Sequence, residues 1–198
     1  MRPRIIWTAM MVNIPNILTV ARIILAVILV FLLKEASFKS DVMAIIVFAV
    51  ASLTDFYDGY FARTRGLVSD FGKIMDPIAD KVLILCVLGV FARMGIIALW
   101  MFAVIAIREI VVTISRIMAM QKGKVLAAER AGKIKTVCQI SAISFILLYL
   151  TFQQSGLFIS CFHAIQPLWA LINQVWMILA VILTVYSGIE YFYLLSFS

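Results

Sequence analysis

Apolar residues along this chain neither alternate with polar ones nor keep to a narrow helical stripe; they run in six long stretches separated by short polar breaks. With a window of about 19 residues these stretches are Ile17–Leu33, Val42–Phe61, Ile74–Phe91, Ile97–Met118, Ile134–Phe152 and Val175–Leu195. A helix needs roughly 20 apolar residues to cross the hydrocarbon of a bilayer, and each stretch is close to that length. The pattern predicts an all-α, polytopic integral membrane protein with six transmembrane helices. Residues 1–198 read as a single domain, with an interfacial segment at 1–15 and a six-helix bundle at 16–198. The opening MRPRIIWTAMMVNIP is basic and apolar and carries no small-residue cleavage site, so it is expected to be retained at the membrane surface.

Composition agrees. With 65% hydrophobic and 14% charged residues, the chain has too few polar side chains to cover a soluble domain. The net charge of +7 would suit a nucleic-acid binder, but in a membrane protein the placement of the charges says more than their sum. If the N-terminus is cytoplasmic, fourteen of the 17 Lys and Arg fall on that side and only Lys34, Lys39 and Arg93 on the other. Both termini, and the loop between the second and third helices, are therefore expected in the cytoplasm. Cys86, Cys138 and Cys161 are far apart, without CxxC spacing, and indicate neither a disulfide framework nor a metal cluster. His163 has no partner at a ligating distance in sequence and reads as a surface residue.

The exception to this greasiness is DFYDGYFARTRGLVSDFGKIMDPIAD, residues 55–80, which holds five aspartates. On a helix, Asp55, Asp58, Gly59 and Ala62 share one face, and Asp76 and Asp80 repeat the acid pair at a spacing of four, one turn beyond Gly72. The residue before a proline disfavours the helical region, so Asp76–Pro77 predicts a helix start or a kink. Insertion scales put a carboxylate in the hydrocarbon at about 2.5–3.5 kcal/mol, and like charges one turn apart repel. Four together require cations. Arg63, Lys73 and Lys81 would supply some in a structural salt-bridge cluster. Alternatively, a hard divalent ion suits a donor set of carboxylate oxygens with no His or Cys nearby. Two Mg²⁺ ions would balance four carboxylates and leave attraction for a diphosphate. Gly59 and Gly72 fit either close approach of a nucleotide or tight helix packing, and Arg63 either a phosphate contact or a cytoplasmic anchor.

Asp55-x-x-Asp58-Gly59-x-x-Ala62-Arg63, eight residues, then Gly72-x-x-x-Asp76-x-x-x-Asp80 resembles the complete signature of the CDP-alcohol phosphatidyltransferase family, with all eight fixed positions present. The resemblance implies transfer of a phosphatidyl group from a CDP-linked lipid to an alcohol, with release of CMP. It implies two Mg²⁺ (or Mn²⁺) ions held by Asp55, Asp58, Asp76 and Asp80, with Asp80 also the base that deprotonates the acceptor. Asp55, Asp58, Gly59, Ala62, Arg63, Ser69 and Gly72 would line the CDP-lipid pocket.

Outside the signature, NIPNILTVAR (Asn13–Arg22), IREIVVTISR (Ile107–Arg116), GKIKT (Gly132–Thr136) and SGIEYFY (Ser187–Tyr193) resemble the bacterial phosphatidylglycerophosphate synthases within that family. The likeness is weakest in the loops at Lys34–Asp41 and Gln153–Gln174. It implies CDP-diacylglycerol and glycerol 3-phosphate as substrates, a homodimer, and a multi-pass location in the bacterial inner membrane with a cytoplasmic site. Arg108, Arg116, Lys133 and Lys135 offer cations for the acceptor phosphate, although polybasic anchoring to anionic lipid explains such charges too. Arg108 stands out because it lies deep in an apolar run. Glu109 and Glu190, also in apolar runs, need partners, for which the neighbourhood of Arg108 or a tyrosine such as Tyr191 is available. Inositol phosphate or phosphatidylglycerol are alternative acceptors. A cation transporter would also hold intramembrane acids, but it predicts them near the bilayer centre together with an internal repeat.

Overall fold

In the computed structural model the backbone is described at residues 4–65, 70–121, 130–155 and 159–196, and the side chains at 20–54, 78, 81–119, 132–155, 162 and 164–196. Among the described residues six helices follow one another: α1 (Arg4–Glu35), α2 (Phe38–Arg65), α3 (Asp70–Arg93), α4 (Leu99–Gln121), α5 (Arg130–Gln154) and α6 (Ile159–Ser196). No strand occurs among the described residues. Five helices contain one of the expected spans whole, and α4 begins two residues inside the fourth, at Leu99. Among the described residues two stretches, Gly132–Gln154 and Ala164–Ser196, are long and apolar enough to cross a membrane by length and composition alone.

Three boundaries differ from the sequence reading. The 1–15 segment does not stand apart as an element, because α1 is helical from Arg4 through the whole first span. Helix α3 begins at Asp70, six residues before Asp76, so of the start or kink expected at Asp76–Pro77 the start lies elsewhere and the proline falls inside the helix. Helix α6 begins at Ile159, inside the region expected to be a loop, and continues for 38 residues with Pro167 in its interior. Side-chain packing explains this extension. Trp169 of α6 lies 5.3 Å from the Phe145 ring, 6.0 Å from Tyr149 and 5.5 Å from Phe152, all on α5. Phe162, one helical turn before Pro167, packs 5.7 Å from Tyr149. Ring pairs at these distances contribute about 0.5–1.5 kcal/mol each beyond their burial, enough to hold helix where a proline removes one hydrogen bond.

Local chemistry sets the turns. Gly95 takes φ 75°, its N–H donates to Ala92 O at 3.2 Å, and the Ile96 N–H donates to Phe91 O at 3.0 Å. That pairing is a Schellman close of α3, which needs a left-handed residue and obtains it from glycine. Between α1 and α2, Ala36 takes the same left-handed region at φ 47°. Ser37 then caps α2: the Ser40 N–H donates to Ser37 Oγ and the Ser37 N–H donates to Ser40 Oγ at 3.0 Å, a reciprocal capping box.

Helix α1 packs on α2 and α3, α5 packs on α2, α3 and α6, and α4 joins α3 to α6. The buried interior comprises Leu29 and Leu33 of α1, Phe48 of α2, Leu88 and Phe91 of α3, Ile105 of α4, and Ile143, Ile146 and Leu147 of α5. The outer surface is rich in apolar side chains: Phe31, Ile107, Val137 and Ile189 are each more than 60% exposed. Such a surface is what lipid tails, rather than water, would solvate.

Candidate active site

Helix α2 remains helical to Arg65 and α3 from Asp70, so all eight signature positions lie on helices. In this register Asp55 and Asp58 are one turn apart near the end of α2, and Asp76 and Asp80 are one turn apart in the first half of α3. The side chains of Asp55, Asp58, Gly59, Ala62, Arg63, Gly72, Asp76 and Asp80 lie outside the described residues, as does Ser69 altogether. Helix α5 packs against both α2 and α3 and so joins the two acid-bearing helices.

The described part of the site begins at Lys81, the residue directly after Asp80. Its Nζ lies 3.2 Å from Glu109 Oε2, across to α4. Glu109 is 1% exposed, and its other oxygen, Oε1, accepts from Lys135 Nζ of α5, which is equally buried. Arg108 Nη1 approaches the same oxygen at 3.4 Å. One carboxylate therefore gathers cations from three helices. Among the described side chains the cluster carries three positive charges against one negative.

Arg108 is fixed from a fourth helix. Its Nη2 donates to Ser187 Oγ of α6 at 2.9 Å, and the serine hydroxyl donates in turn to Thr184 O at 3.1 Å. Gly188 gives the arginine stem its space: a Cβ there would stand 3.2 Å from Arg108 Cγ. Two turns along α4, the Arg116 guanidinium lies 5.9 Å from the ring centroid of Tyr191, a cation–π distance. The IREIVVTISR and SGIEYFY segments, far apart in sequence, therefore face each other at the α4–α6 contact. An open, apolar groove of about 670 Å³ runs along this contact between Ile107 and Val111 on one side and Ile189 and Phe192 on the other, with Arg108 in its wall.

Of the four expected phosphate-binding cations, Arg108 and Lys135 come together around Glu109. Arg116 and Lys133 do not: Arg116 is exposed beside Tyr191, and Lys133 is exposed two residues before Lys135, pointing away around the helix. The neighbourhood of Arg108 does supply partners for Glu109. Glu190 is different, since its Oε2 is buried without a hydrogen-bond partner among the described residues. Lys81, which the salt-bridge alternative would set among the aspartates, pairs across to α4. Sequence reasoning left Lys81, Glu109 and Ser187 out of the site. The signal for the first two was Glu109 itself, since a carboxylate in an apolar helix must find cations on neighbouring helices. Cys86 and Cys138 are free thiols. The side chains of Cys161 and His163 lie outside the described residues.

A family model described as CDP-alcohol phosphatidyltransferase matches residues 12–186. A Bacillus subtilis protein named CDP-diacylglycerol–glycerol-3-phosphate 3-phosphatidyltransferase is 37% identical over 195 residues, covering 92% of this chain and 94% of that protein. A Rickettsia typhi protein of the same name is 36% identical over 139 residues, covering 70% of this chain and 78% of its own. A Mycobacterium tuberculosis protein named probable phosphatidylglycerophosphate synthase is 36% identical over 186 residues, 92% of this chain and 81% of its own. The signature on α2 and α3, the family match across most of the helices and these relatives agree: the chain belongs to the CDP-alcohol phosphatidyltransferase family.

Proposed function

We propose that this protein transfers the phosphatidyl group of CDP-diacylglycerol to sn-glycerol 3-phosphate, giving phosphatidylglycerol phosphate and CMP. The observation that carries this reading is the cation cluster of Lys81, Arg108 and Lys135, which adjoins the aspartate signature through the Asp80–Lys81 peptide bond. An acceptor with its own phosphate needs cations next to the site of attack, whereas a neutral alcohol does not. The names of the relatives point to the same pair of substrates.

The donor set fits a hard divalent cation: four carboxylates in two one-turn pairs, with no His or Cys in the signature. Asp55, Asp58, Asp76 and Asp80 would hold two Mg²⁺ or Mn²⁺ ions, which supply Lewis-acid stabilisation of charge on the diphosphate. Asp80 takes the proton from the acceptor hydroxyl onto its carboxylate. The hydroxyl oxygen attacks the phosphorus nearer the lipid, and the bond from that phosphorus to the CMP oxygen breaks, CMP leaving with the electron pair. Gly59, Ala62, Arg63, Ser69 and Gly72 hold the cytidine diphosphate. Arg108 and Lys135 hold the acceptor phosphate, while Arg116 and Lys133, outside the cluster, contribute only longer-range attraction. Catalysis on this plan is chiefly positioning and charge stabilisation.

The same reading takes all six helices as membrane spans of a bacterial inner-membrane protein, with both termini and the site in the cytoplasm and the working unit a homodimer. Support comes from the charge asymmetry across the spans and from the apolar outer surface.

The test is an acceptor panel. Purified protein in detergent, with labelled CDP-diacylglycerol and Mg²⁺, is expected to release CMP with glycerol 3-phosphate and to stop when the metal is chelated. Release with inositol phosphate or phosphatidylglycerol but not with glycerol 3-phosphate would show the acceptor assignment to be wrong. Metal-dependent turnover without any ion gradient is incompatible with a transporter.

A further inference from the structure

We infer that Glu109 is a positioning residue for the acceptor site: its carboxylate draws Lys81 of α3, Arg108 of α4 and Lys135 of α5 into one anion-binding constellation, which makes Lys81 a further contact for the acceptor phosphate. The inference rests on the proposed function and adds to it two residues and a division of labour.

Geometry comes first. Glu109 is 1% exposed, and both of its oxygens are engaged, Oε1 by Lys135 and Arg108 and Oε2 by Lys81 at 3.2 Å. These cations arrive from three separate helices, so no local sequence constraint sets their mutual distance. Glu109 does.

Charge follows. A pair needs one cation for one carboxylate, and this cluster has three among the described side chains. Packing surplus like charges together in a low-dielectric setting is unfavourable until an anion joins them. A phosphate monoester brings about −1.5 to −2 near neutral pH, close to the surplus of two. Among the described side chains the cluster is thus over-supplied with cations by about the charge of the group it would bind. Without the Glu109 carboxylate the three would repel and separate, and the phosphate would meet scattered charges rather than a formed site.

Direction is the third consideration. Lys81 follows Asp80 directly, and its side chain is 26% exposed, unlike that of Lys135 at 1%. It is the cluster member with both a partly exposed side chain and a backbone tie to the proposed base. A phosphate gripped there sets its glycerol hydroxyl at a fixed reach from Asp80. Glu109 touches neither substrate on this account; it acts through the lysines.

The experiment compares wild-type protein with Glu109→Gln, Glu109→Asp and Lys81→Met, measuring CMP release while glycerol 3-phosphate and CDP-diacylglycerol are varied in turn. Glu109→Gln removes the charge at nearly constant shape. It is expected to raise KM for glycerol 3-phosphate about tenfold or more, the scale of one lost charge-assisted contact, with KM for the lipid within about twofold. Glu109→Asp should recover part of that loss. Lys81→Met should show the same one-sided rise, and it decides the matter if the glutamate variants fail to fold. Unchanged acceptor KM in the folded variants, or an equal rise for both substrates, overturns the inference while leaving the proposed function standing. Wild-type protein that releases no CMP with glycerol 3-phosphate overturns both.

Discussion

Gly188→Ala separates the stability of the fold from the competence of the site. The added Cβ would stand 3.2 Å from Arg108 Cγ and 3.5 Å from its Nε. Carbon atoms in comfortable contact keep about 3.5–4.0 Å, so the arginine must retreat by a few tenths of an ångström. Two effects on stability oppose each other. Alanine is favoured over glycine in a helix interior by about 0.8–1.0 kcal/mol, and overpacking costs about 1–3 kcal/mol, toward the low end here because an arginine stem can bend. The net change in stability should stay within about 1 kcal/mol. The site has no such compensation. Arg108 is held by its 2.9 Å hydrogen bond to Ser187 and its 3.4 Å approach to Glu109, and hydrogen bonds to charged groups contribute about 1.5–3 kcal/mol. At about 1.4 kcal/mol per tenfold, losing one corresponds to a tenfold or larger loss in acceptor affinity. The assay is CMP release against glycerol 3-phosphate at saturating lipid, run beside thermal unfolding in detergent. A melting temperature close to wild type with acceptor KM raised about tenfold is expected. Unchanged acceptor KM, or a parallel rise for the lipid, would refute the idea that Gly188 seats Arg108 for the acceptor.

Other changes test other parts of the molecule. Ala36→Gly should raise the melting temperature, because a left-handed residue at φ 47° costs an L-residue about 1–2 kcal/mol that glycine avoids, less what glycine loses in chain entropy; a lower melting temperature would contradict the strain argument. Thr184→Val removes the hydroxyl to which the buried Gln139 donates at 3.1 Å between α5 and α6. Interhelical bonds of this kind average about 0.6 kcal/mol and reach about 1.7, so a modest fall in unfolding free energy is expected, and no change would mean that Gln139 re-pairs. Asp80→Asn should abolish CMP release while retaining much of the CDP-lipid binding, since three of the four proposed metal ligands remain; turnover near wild type would remove Asp80 as the base.

How far the sequence reached depends on how local the signal is. The six helices follow from hydrophobic run length, which is a property of consecutive residues. The Gly95 stop of α3 belongs to the same local class of signal. The aspartate signature is legible for a similar reason: helical register fixes which residues share a face before any tertiary contact forms. Where the reading missed, the controlling contacts were distant in sequence. The first half of α6 reads as a loop because Pro167 and scattered polar residues weaken its pattern, and it packs as a helix against the rings of Phe145, Tyr149 and Phe152 on another helix.

The basic residues show the same division most sharply. Sequence marked Arg108, Arg116, Lys133 and Lys135 alike as cations near a cytoplasmic crossing, with Arg108 set apart by its depth in an apolar run. Packing sorted them. Rotation about α5 buries Lys135 against Glu109 and leaves Lys133, two residues away, exposed. The α4–α6 contact ties Arg108 to Ser187 and sets Arg116 over Tyr191. By itself, then, the sequence determined a helical, membrane-suited chain of this family and the identity of its acids, because periodicity, run length and charge are written residue by residue. Which cations meet which carboxylate was decided only by the tertiary structure, because a buried charge chooses its partners by distance across helices, and that distance exists only once α3, α4, α5 and α6 have packed.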